Sequence, residues 1–284
     1  MSPMKGLGRT VAIYVVVAAI AALVVPGLSG FSMTRTEAAA LAVFGLIVGI
    51  YGTMVGAGGG FLIVPVLLLV WQLPPAQAAG TSLLVVFLNA TAGSLAFAKQ
   101  GRIDFRSGLW FAAATVPGAV AGAFLARYFS GRAFDIAFGS MLLAVAAFLM
   151  WKPVRRVDPS AEQPGKPGLG LGIALSVGVG FVSSALGIGG GIFHVPAMIH
   201  LLHFPALVAT ATSTFILAFS SLIGAGTHVA LGNVLFGPAV LMGIGAVAGA
   251  QIGGEIAKRA RGATVVRLLS LALVLVGVRL LLRS

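Results

Sequence analysis

Two glycine-rich motifs contain the residues of this sequence that are best suited to binding a small solute. Gly56–Pro65 reads GAGGGFLIVP, and Gly187–Pro196 reads GIGGGIFHVP. Three consecutive glycines disfavour a continuous helix, by about 1 kcal/mol each relative to Ala. A break leaves free backbone N–H groups at the start of the next helical segment, where the helix dipole also favours an anion. The alternative is close helix packing, because both motifs have the four-residue glycine spacing that brings helix backbones together.

Hydroxyl and amide side chains follow each motif at matching distances. Thr81–Ser82 and Thr212–Ser213 each follow a proline and open an apolar run. Such hydroxyls either cap the free N–H groups of a helix start or donate to a bound oxyanion. Asn89 and Ser220 come further along the same two runs. They either line the same cavity or join neighbouring helices.

Histidines supply the ionisable side chains of the candidate site. His194 lies inside the second motif, at the position that Ile63 has in the first. It either donates to an anion, carries a coupling proton, or forms a structural hydrogen bond to a neighbouring helix. His200, His203 and His228 lie nearer the ends of apolar runs, where an interfacial role is expected. The predicted substrate-binding residues are Gly58, Gly59, Gly60, Thr81, Ser82, Asn89, Gly189, Gly190, Gly191, His194, Thr212, Ser213 and Ser220, with Pro65 and Pro196 as structural residues of the motifs.

The composition indicates that these motifs lie in an integral membrane protein. Of the 284 residues, 59% are hydrophobic and 8% are charged, whereas soluble proteins have about 25% charged residues. A soluble enzyme, a disordered chain and a nucleic-acid-binding protein are excluded, because one core cannot hide so much apolar surface. The absence of Cys excludes disulfides, thiol catalysis and Cys-based metal sites. No catalytic residue, metal site or cofactor is predicted.

The apolar runs predict an all-α polytopic bundle, because these runs lack the alternation of barrel strands and lipid requires an internally bonded backbone. A first span is predicted over Thr10–Pro26, and a Pro-rich, charged linker over 152–167. The predicted units are an N-terminal span and loop (1–37), a first repeat (38–151), the linker, and a second repeat (168–284). The remaining predicted spans are Ala38–Val55, Gly60–Leu73, Thr81–Ala98, Leu109–Tyr128, Ala133–Trp151, Leu169–Leu186, Ile192–Leu202, Ala209–Val229, Pro238–Ile256 and Val265–Leu282.

The two halves of the chain repeat each other. A shift of 131 residues places the first glycine motif on the second, and Thr81–Ser82 on Thr212–Ser213. Further along, the glycine stripes 118–122 and 245–253 align at a shift of 127, which predicts a loop four residues shorter in the second half. We interpret these stripes as packing surfaces, either within one chain or in a homodimer. Internal duplication of this kind is typical of secondary transporters.

Loop charges predict that the two repeats are inverted. Lys99, Arg102 and Arg106 lie in one loop of the first half, whereas the equivalent loop 232–237 has no basic residue. Basic loops remain in the cytoplasm, so these two loops are expected on opposite sides. Five membrane segments per repeat produce this inversion, with the N-terminus and linker cytoplasmic. If the two short glycine-rich runs are re-entrant instead, since each is below the ~20 residues of a full span, the repeats are parallel.

The duplicated pattern resembles the TauE/SafE family of sulfite exporters. Each copy reads Gly-x-Gly-Gly-Gly-x-x-x-Val-Pro, then Pro, then Ala-x-x-Thr-Ser, then a further Gly. The resemblance covers about residues 40–280 and implies that the triplets, the motif prolines and the Thr-Ser pairs are the family's motif residues. Ala57 stands where the second copy has Ile188, which is a departure between the two copies.

The resemblance implies an inner-membrane carrier of sulfite or of small organosulfonate anions such as sulfoacetate, without enzymatic activity or a prosthetic group. The expected mechanism is alternating access around the glycine breaks. The expected partners are a small sulfur-containing anion, membrane lipid and a second copy in a homodimer, and no nucleic acid. The alternative function is uptake of another small anion, such as thiosulfate, sulfate or a carboxylate. A membrane-embedded enzyme or a scaffold is disfavoured, because no nucleophile or acid–base pair lies at membrane depth.

Overall fold

The computed structural model of the protein describes residues 34–129, 131–151, 169–259 and 262–282. Within these ranges the chain forms ten helices and no strand. The predicted first span over Thr10–Pro26 and the linker lie outside the described residues. The helices are α1 (Arg35–Val55), α2 (Gly60–Leu69), α3 (Pro75–Ala98), α4 (Phe105–Ala126), α5 (Gly131–Trp151), α6 (Leu169–Leu186), α7 (Gly191–His200), α8 (Ala206–Ala230), α9 (Phe236–Arg259) and α10 (Gly262–Leu281).

Seven helices of this described part, namely α1, α3, α4, α5, α6, α8 and α9, are long and apolar enough to cross a membrane. The prediction of an all-α polytopic membrane protein is therefore confirmed. Large apolar side chains cover the outside of the bundle, such as Val43 and Leu275, which are 57% and 62% exposed. In water such a surface would be unfavourable, but in lipid it is the expected outer face.

Local signals determine where several helices begin. The Thr34 hydroxyl accepts a hydrogen bond from the N–H of Glu37, and the Glu37 carboxylate accepts one from the N–H of Thr34, which forms a capping box for α1. Asp104 caps α4 by accepting from the N–H of Ser107. α3 begins at Pro75, well before its predicted start, because proline fits the first helical position, where no N–H is needed.

A single offset of 131 residues relates the helices of the two halves. The pairs α2/α7, α4/α9 and α5/α10 begin at residues 60 and 191, 105 and 236, and 131 and 262. The predicted change of the shift to 127 is wrong, because Gly118 packs against Val177 and Gly249 packs against Leu46, which is the residue equivalent to Val177. Glycines recur every four residues in these stripes, so two alignments four residues apart match equally well in sequence.

Two pairs of parallel helices pack through glycine. Between α1 and α9, a Cβ added at Gly45 would lie 2.0 Å from the carbonyl oxygen of Met242, and one at Gly49 would lie 2.3 Å from that of Ala246. Equal steps along both helices preserve the contact, so the helices run parallel. α4 and α6 meet in the equivalent way. We call these two contacts the glycine seams. Both lie within one chain, so the stripes carry no support for the predicted homodimer.

The central helices α3 and α8 cross in an antiparallel arrangement. Gly93, late in α3, faces Thr214, early in α8, whereas Leu83, early in α3, faces Gly224, late in α8. These two helices are equivalent in the two repeats. Equivalent elements of the two halves therefore run in opposite directions at the centre of the molecule.

Candidate functional site

Both glycine triplets interrupt a helix. We call residues 56–59, between α1 and α2, the first break, and residues 187–190, between α6 and α7, the second break. Gly59 and Gly190, which directly precede α2 and α7, both have a φ of 84°. This left-handed conformation is accessible to glycine and costs other residues free energy. The triplets therefore end one helix and allow a second, short helix to begin inside the molecule.

The two breaks contact each other in the middle of the structure. A Cβ added at Gly60 would lie 2.6 Å from the carbonyl oxygen of Gly187, and one at Gly191 would lie 2.3 Å from that of Gly56. Both distances are far shorter than a van der Waals contact. Only glycine lets the two backbones approach so closely.

The central helix pair packs against both breaks. Gly58 and Gly189 lie against the same two side chains, Val86 of α3 and Leu217 of α8. Val86 and Leu217 are equivalent residues of the two repeats. The breaks thus flank the crossing of α3 and α8, and all six triplet glycines are buried.

Backbone N–H groups are left free where α2 and α7 begin. In α2 the third and fourth N–H groups donate to the carbonyl of Gly59, but among the described residues no acceptor reaches those of Gly60 and Phe61. The N–H groups of Gly191 and Ile192 are free in the same way at the start of α7. Such groups, with the helix dipole, form sites for anions. The arrangement therefore has two short helices whose positive ends meet.

One serine of each repeat forms a hydrogen bond to the break of the opposite repeat. The Ser82 hydroxyl donates to the carbonyl oxygen of Gly187 at 2.7 Å, and the Ser213 hydroxyl donates to that of Gly56 at 3.0 Å. The structure thus brings both predicted serines to the breaks. Their protons are used in holding the two repeats together.

The neighbouring threonines hold loops instead. Thr81 Oγ1 accepts from the N–H of Leu235, and Thr212 Oγ1 accepts from the N–H of Asp104, both at 3.0 Å. These partners directly precede α9 and α4. The expectation that the Thr-Ser pairs open a helix is wrong, because α3, for example, already begins at Pro75. The hydrogen bonds of the threonines go to the loops rather than to the triplets.

Asn89 of α3 forms a hydrogen bond to the backbone of the first break. Its Nδ2 donates to the carbonyl oxygen of Gly58, and its Oδ1 accepts from the Thr53 hydroxyl, both at 3.0 Å. Its counterpart Ser220 is buried but makes no hydrogen bond to any described residue. The two positions are equivalent in sequence and inequivalent in their contacts.

Replacing Asn89 by Ala is expected to lower the free energy of unfolding by about 1–3 kcal/mol, because the Gly58 carbonyl and the Thr53 hydroxyl lose their buried partner. The measurement is the apparent Tm of purified protein in detergent. Ser220→Ala is the matched control and is expected to change the apparent Tm little. Equal losses in both variants would contradict this account.

His194 extends from α7 to α6. Its Nε2 lies 3.2 Å from the hydroxyl of Ser176, and that hydroxyl donates to the carbonyl of Gly172 at 2.7 Å. Nε2 therefore carries the proton and donates to Ser176. Nδ1 is buried and has no partner among the described residues. This is the structural hydrogen bond that the sequence left open as an alternative, and a role of His194 in binding stays a prediction.

His228 is buried, and the expectation of an interfacial role for it is wrong. Its Nε2 donates to the carbonyl oxygen of Ser184 at 3.1 Å, and the residue is 0% exposed. The reason is that the last turns of α8 pack against α3, where His228 lies next to Gly80.

Sequence reasoning missed Ser183 and Ser184 at the end of α6. Both hydroxyls are buried and have no partner among the described residues. Ser183 lies against the second break, because its Oγ is 3.4 Å from the position of a Cβ added at Gly190. The equivalent residues of the first repeat are Gly52 and Thr53. The sequence signal for these serines is this difference between the aligned repeats.

Two cavities lie beside the breaks rather than between them. One of about 410 Å³ is lined by apolar residues of α6 and by Phe193, and one of about 320 Å³ lies between α3, α4 and α8. Neither is lined by a triplet glycine.

A comparison with protein families identifies one match over most of the chain. The family model "Sulfite exporter TauE/SafE" matches residues 41–280. These residues include both breaks and all ten helices except the first turns of α1 and the last residue of α10.

Several relatives cover most of the chain. It is 34% identical over 262 residues to the probable membrane transporter protein YunE of Bacillus subtilis (strain 168), which covers 85% of this chain and 96% of YunE. It is 32% identical to the probable membrane transporter protein ORF9 of Sinorhizobium sp, over 80% of this chain and 86% of that protein. It is 30% identical to the probable membrane transporter protein MJ0441 of Methanocaldococcus jannaschii, over 65% of this chain and 69% of that protein. No solved structure matches the chain significantly.

Proposed function

The chain belongs to the TauE/SafE sulfite exporter family, whose members are membrane transporters rather than enzymes, and from this premise we propose that it exports sulfite or a small organosulfonate such as sulfoacetate. The anion crosses the cytoplasmic membrane by alternating access. One observation carries the proposal: two helix breaks meet at the centre of the molecule, and each leads into a short helix whose first two N–H groups have no acceptor among the described residues.

The chemistry of the breaks suits compact oxyanions. Backbone N–H groups at the starts of α2 and α7 donate to the oxygens of a sulfite or sulfonate group, and both helix dipoles favour negative charge. α2, α3, α6, α7 and α8 contain no Lys, Arg, Asp or Glu. The anion therefore meets no opposing carboxylate, and several weak donors release it more readily than a fixed Arg would.

Inverted repeats would supply the two states that transport requires. The antiparallel crossing of α3 and α8 supports inversion, with five segments per repeat and with α2 and α7 as the short ones. In transporters with inverted repeats, the halves exchange conformations, so the central site opens to each side in turn. The arrangement in which the breaks pack together corresponds to the closed intermediate between these states.

Loop charges orient the protein with the ends of α3 and α9 in the cytoplasm. These helices run parallel, because Gly243 packs against Leu88 and Gly254 against Ala96. Lys and Arg cluster at the ends of both helices, at Lys99 and Arg102 after α3 and at 258–261 around the end of α9. Such basic segments stay in the cytoplasm. Export of an anion then follows the inside-negative potential, at roughly 2.3 kcal/mol per charge per 100 mV.

Ligand-dependent thermal stability tests the substrate. Purified protein is heated with sulfite, sulfoacetate, thiosulfate, sulfate or acetate at equal ionic strength, and the apparent Tm is measured. A ligand that binds the folded state stabilises it by about 2.7 kcal/mol at 100 times its Kd. We expect the largest rise in apparent Tm with sulfite or sulfoacetate.

The same measurement separates the alternatives. A response to acetate with none to the sulfur anions would overturn the proposed substrate, and a response to thiosulfate or sulfate alone would favour the alternative anions. Flux from proteoliposomes with an imposed potential then tests direction. Outward movement that increases with an inside-negative potential is the expected result, and flux that is insensitive to the potential contradicts it.

A further inference from the structure

The two halves differ at the positions that surround the breaks. In the first half, the carboxamide of Asn89 fills the space between Thr53 and the Gly58 carbonyl, with a hydrogen bond to each. The second half has Ser220 in place of Asn89 and Ser184 in place of Thr53. The second half therefore lacks the carboxamide and one methyl group of the first, whereas Ser183 adds a hydroxymethyl group at the position of Gly52.

Two buried serine hydroxyls at the end of α6 have no hydrogen-bond partner in the described part of the chain. The hydroxyls of Ser183 and Ser184 are 0% and 1% exposed and have no partner among the described residues. The hydroxyl of Ser220, which is 2% exposed, forms no hydrogen bond to a described residue either. In the first break the N–H of Gly58 donates to a carbonyl of α1, but no equivalent bond forms from the N–H of Gly189.

Such groups are costly to bury unless something occupies the space and pairs with them. Ser183 borders Gly190, whose following residues begin α7 with two free N–H groups. Ser184 borders Gly224 of α8, with its Oγ at 2.9 Å from the position of an added Cβ. The ring Nε2–H of His228 donates to the Ser184 carbonyl. We call the region of Ser183, Ser184, Ser220 and residues 189–191 the open half-site, because it lacks the pairing amide that Asn89 supplies in the first half.

We propose that the transported anion binds asymmetrically, in the open half-site of the second repeat, while Asn89 permanently closes the equivalent space of the first repeat. This inference rests on the proposed function and specifies where its solute lies. The ligand is a small oxyanion that accepts hydrogen bonds from the two serine hydroxyls and from the first N–H groups of α7. The amide of Asn89 provides in the first half the contacts that the anion and its hydration provide in the second.

The charges around the open half-site agree with this ligand. The helices that form it, α6, α7 and α8, and the facing α3 contain no Lys, Arg, Asp or Glu among their described residues. The site is therefore neutral and rich in donors. Bound water is the competing occupant, because water also pairs with unpartnered hydroxyls.

The test rebuilds the first half-site in the second. The double variant Ser184→Thr with Ser220→Asn introduces the two side chains that pair in the first half, Thr53 and Asn89, and leaves Ser183 in place of the equivalent Gly52. We expect a folded protein whose apparent Tm without ligand is equal to or higher than that of the wild type. Anion binding, read as the ligand-dependent rise in apparent Tm, is expected to weaken by about tenfold or more.

The reciprocal double variant, Thr53→Ser with Asn89→Ser, is the matched control. It opens the first half-site, so we expect a lower apparent Tm without ligand and a retained response to the anion. Should the rebuilt variant fail to fold, Ser183→Ala and Ser184→Ala remove single hydroxyls without adding volume. Each is expected to weaken anion binding severalfold, while the apparent Tm without ligand stays unchanged.

The outcomes distinguish the two proposals. If the wild type responds to a sulfur anion and the rebuilt variant and both alanine variants keep its affinity, the open half-site holds water only and the inference is overturned. If the wild type responds only to acetate, the proposed substrate fails, and the same variants decide the half-site with acetate as the probe. If the wild type responds to no anion, both proposals fail.

Discussion

Replacing Gly191 by Ala is expected to abolish anion transport and to remove most of the folded protein from the membrane. Gly191 is the first residue of α7, and its backbone conformation is one that Ala adopts easily. The effect comes from contact alone, because the added Cβ would lie 2.3 Å from the carbonyl oxygen of Gly56. The position of the Cβ is fixed by the backbone, and its partner is a backbone carbonyl. No side-chain rotation therefore relieves the clash, and the breaks must separate.

The expected loss of stability is about 1–3 kcal/mol or more, which is typical of overpacking in a close-packed interior. The measurements are the monodisperse fraction after solubilisation and the flux of sulfite from proteoliposomes. Gly178→Ala in α6 is the control, because nothing lies within 4 Å of its added Cβ. It is expected to fold and transport normally. Wild-type flux in Gly191→Ala would mean that the two breaks need not touch.

The second large effect is expected at the glycine seam between α1 and α9. A Cβ at Gly245 would lie 2.0 Å from the carbonyl oxygen of Ala42. Gly245→Val adds two further methyl groups and forces the helices apart along their length. Van der Waals packing is the main attraction between helices in lipid, so a separated pair loses most of its association free energy. We expect little folded protein, with a stability loss of about 3 kcal/mol or more.

Two further variants test whether the seam itself is responsible. Gly118→Val in the other seam, where an added Cβ would lie 2.0 Å from the carbonyl oxygen of Val177, is expected to be equally damaging. Gly226→Val in α8 has nothing within 4 Å of the added Cβ and is expected to be tolerated. Thermal unfolding and yield of monodisperse protein measure all three. Normal stability of either seam variant would show that the close approach of these helices is not required.

Several features of the fold were predictable because they depend on local or periodic properties of the chain. Long apolar runs predict membrane helices, and their composition alone excludes a soluble fold. Three consecutive glycines predict a helix break, because glycine adopts the left-handed conformation seen at Gly59 and Gly190. The shift of 131 predicts which elements are equivalent. The shift is ambiguous only where glycines recur every four residues, because two alignments that differ by four residues then match equally well.

The contacts of the site were less predictable, because they join residues far apart in the chain. Ser82 was predicted near a solute, but its partner is the carbonyl of Gly187 in the other repeat. His228 is expected at an interface, but the packing of α8 against α3 and α6 buries it against Ser184. Neither contact follows from a local pattern. Each depends on how the helices cross.

The sequence by itself determined that this protein is a duplicated membrane helix bundle with two glycine breaks, because hydropathy, backbone freedom and repetition are properties of short segments. Only the tertiary structure decided that the breaks touch, that α3 and α8 cross against both of them, and that Asn89 pairs with Thr53 and with the carbonyl of Gly58. The physical reason is that close approach and hydrogen-bond pairing are set by the packing of several helices at once. No single segment contains that information.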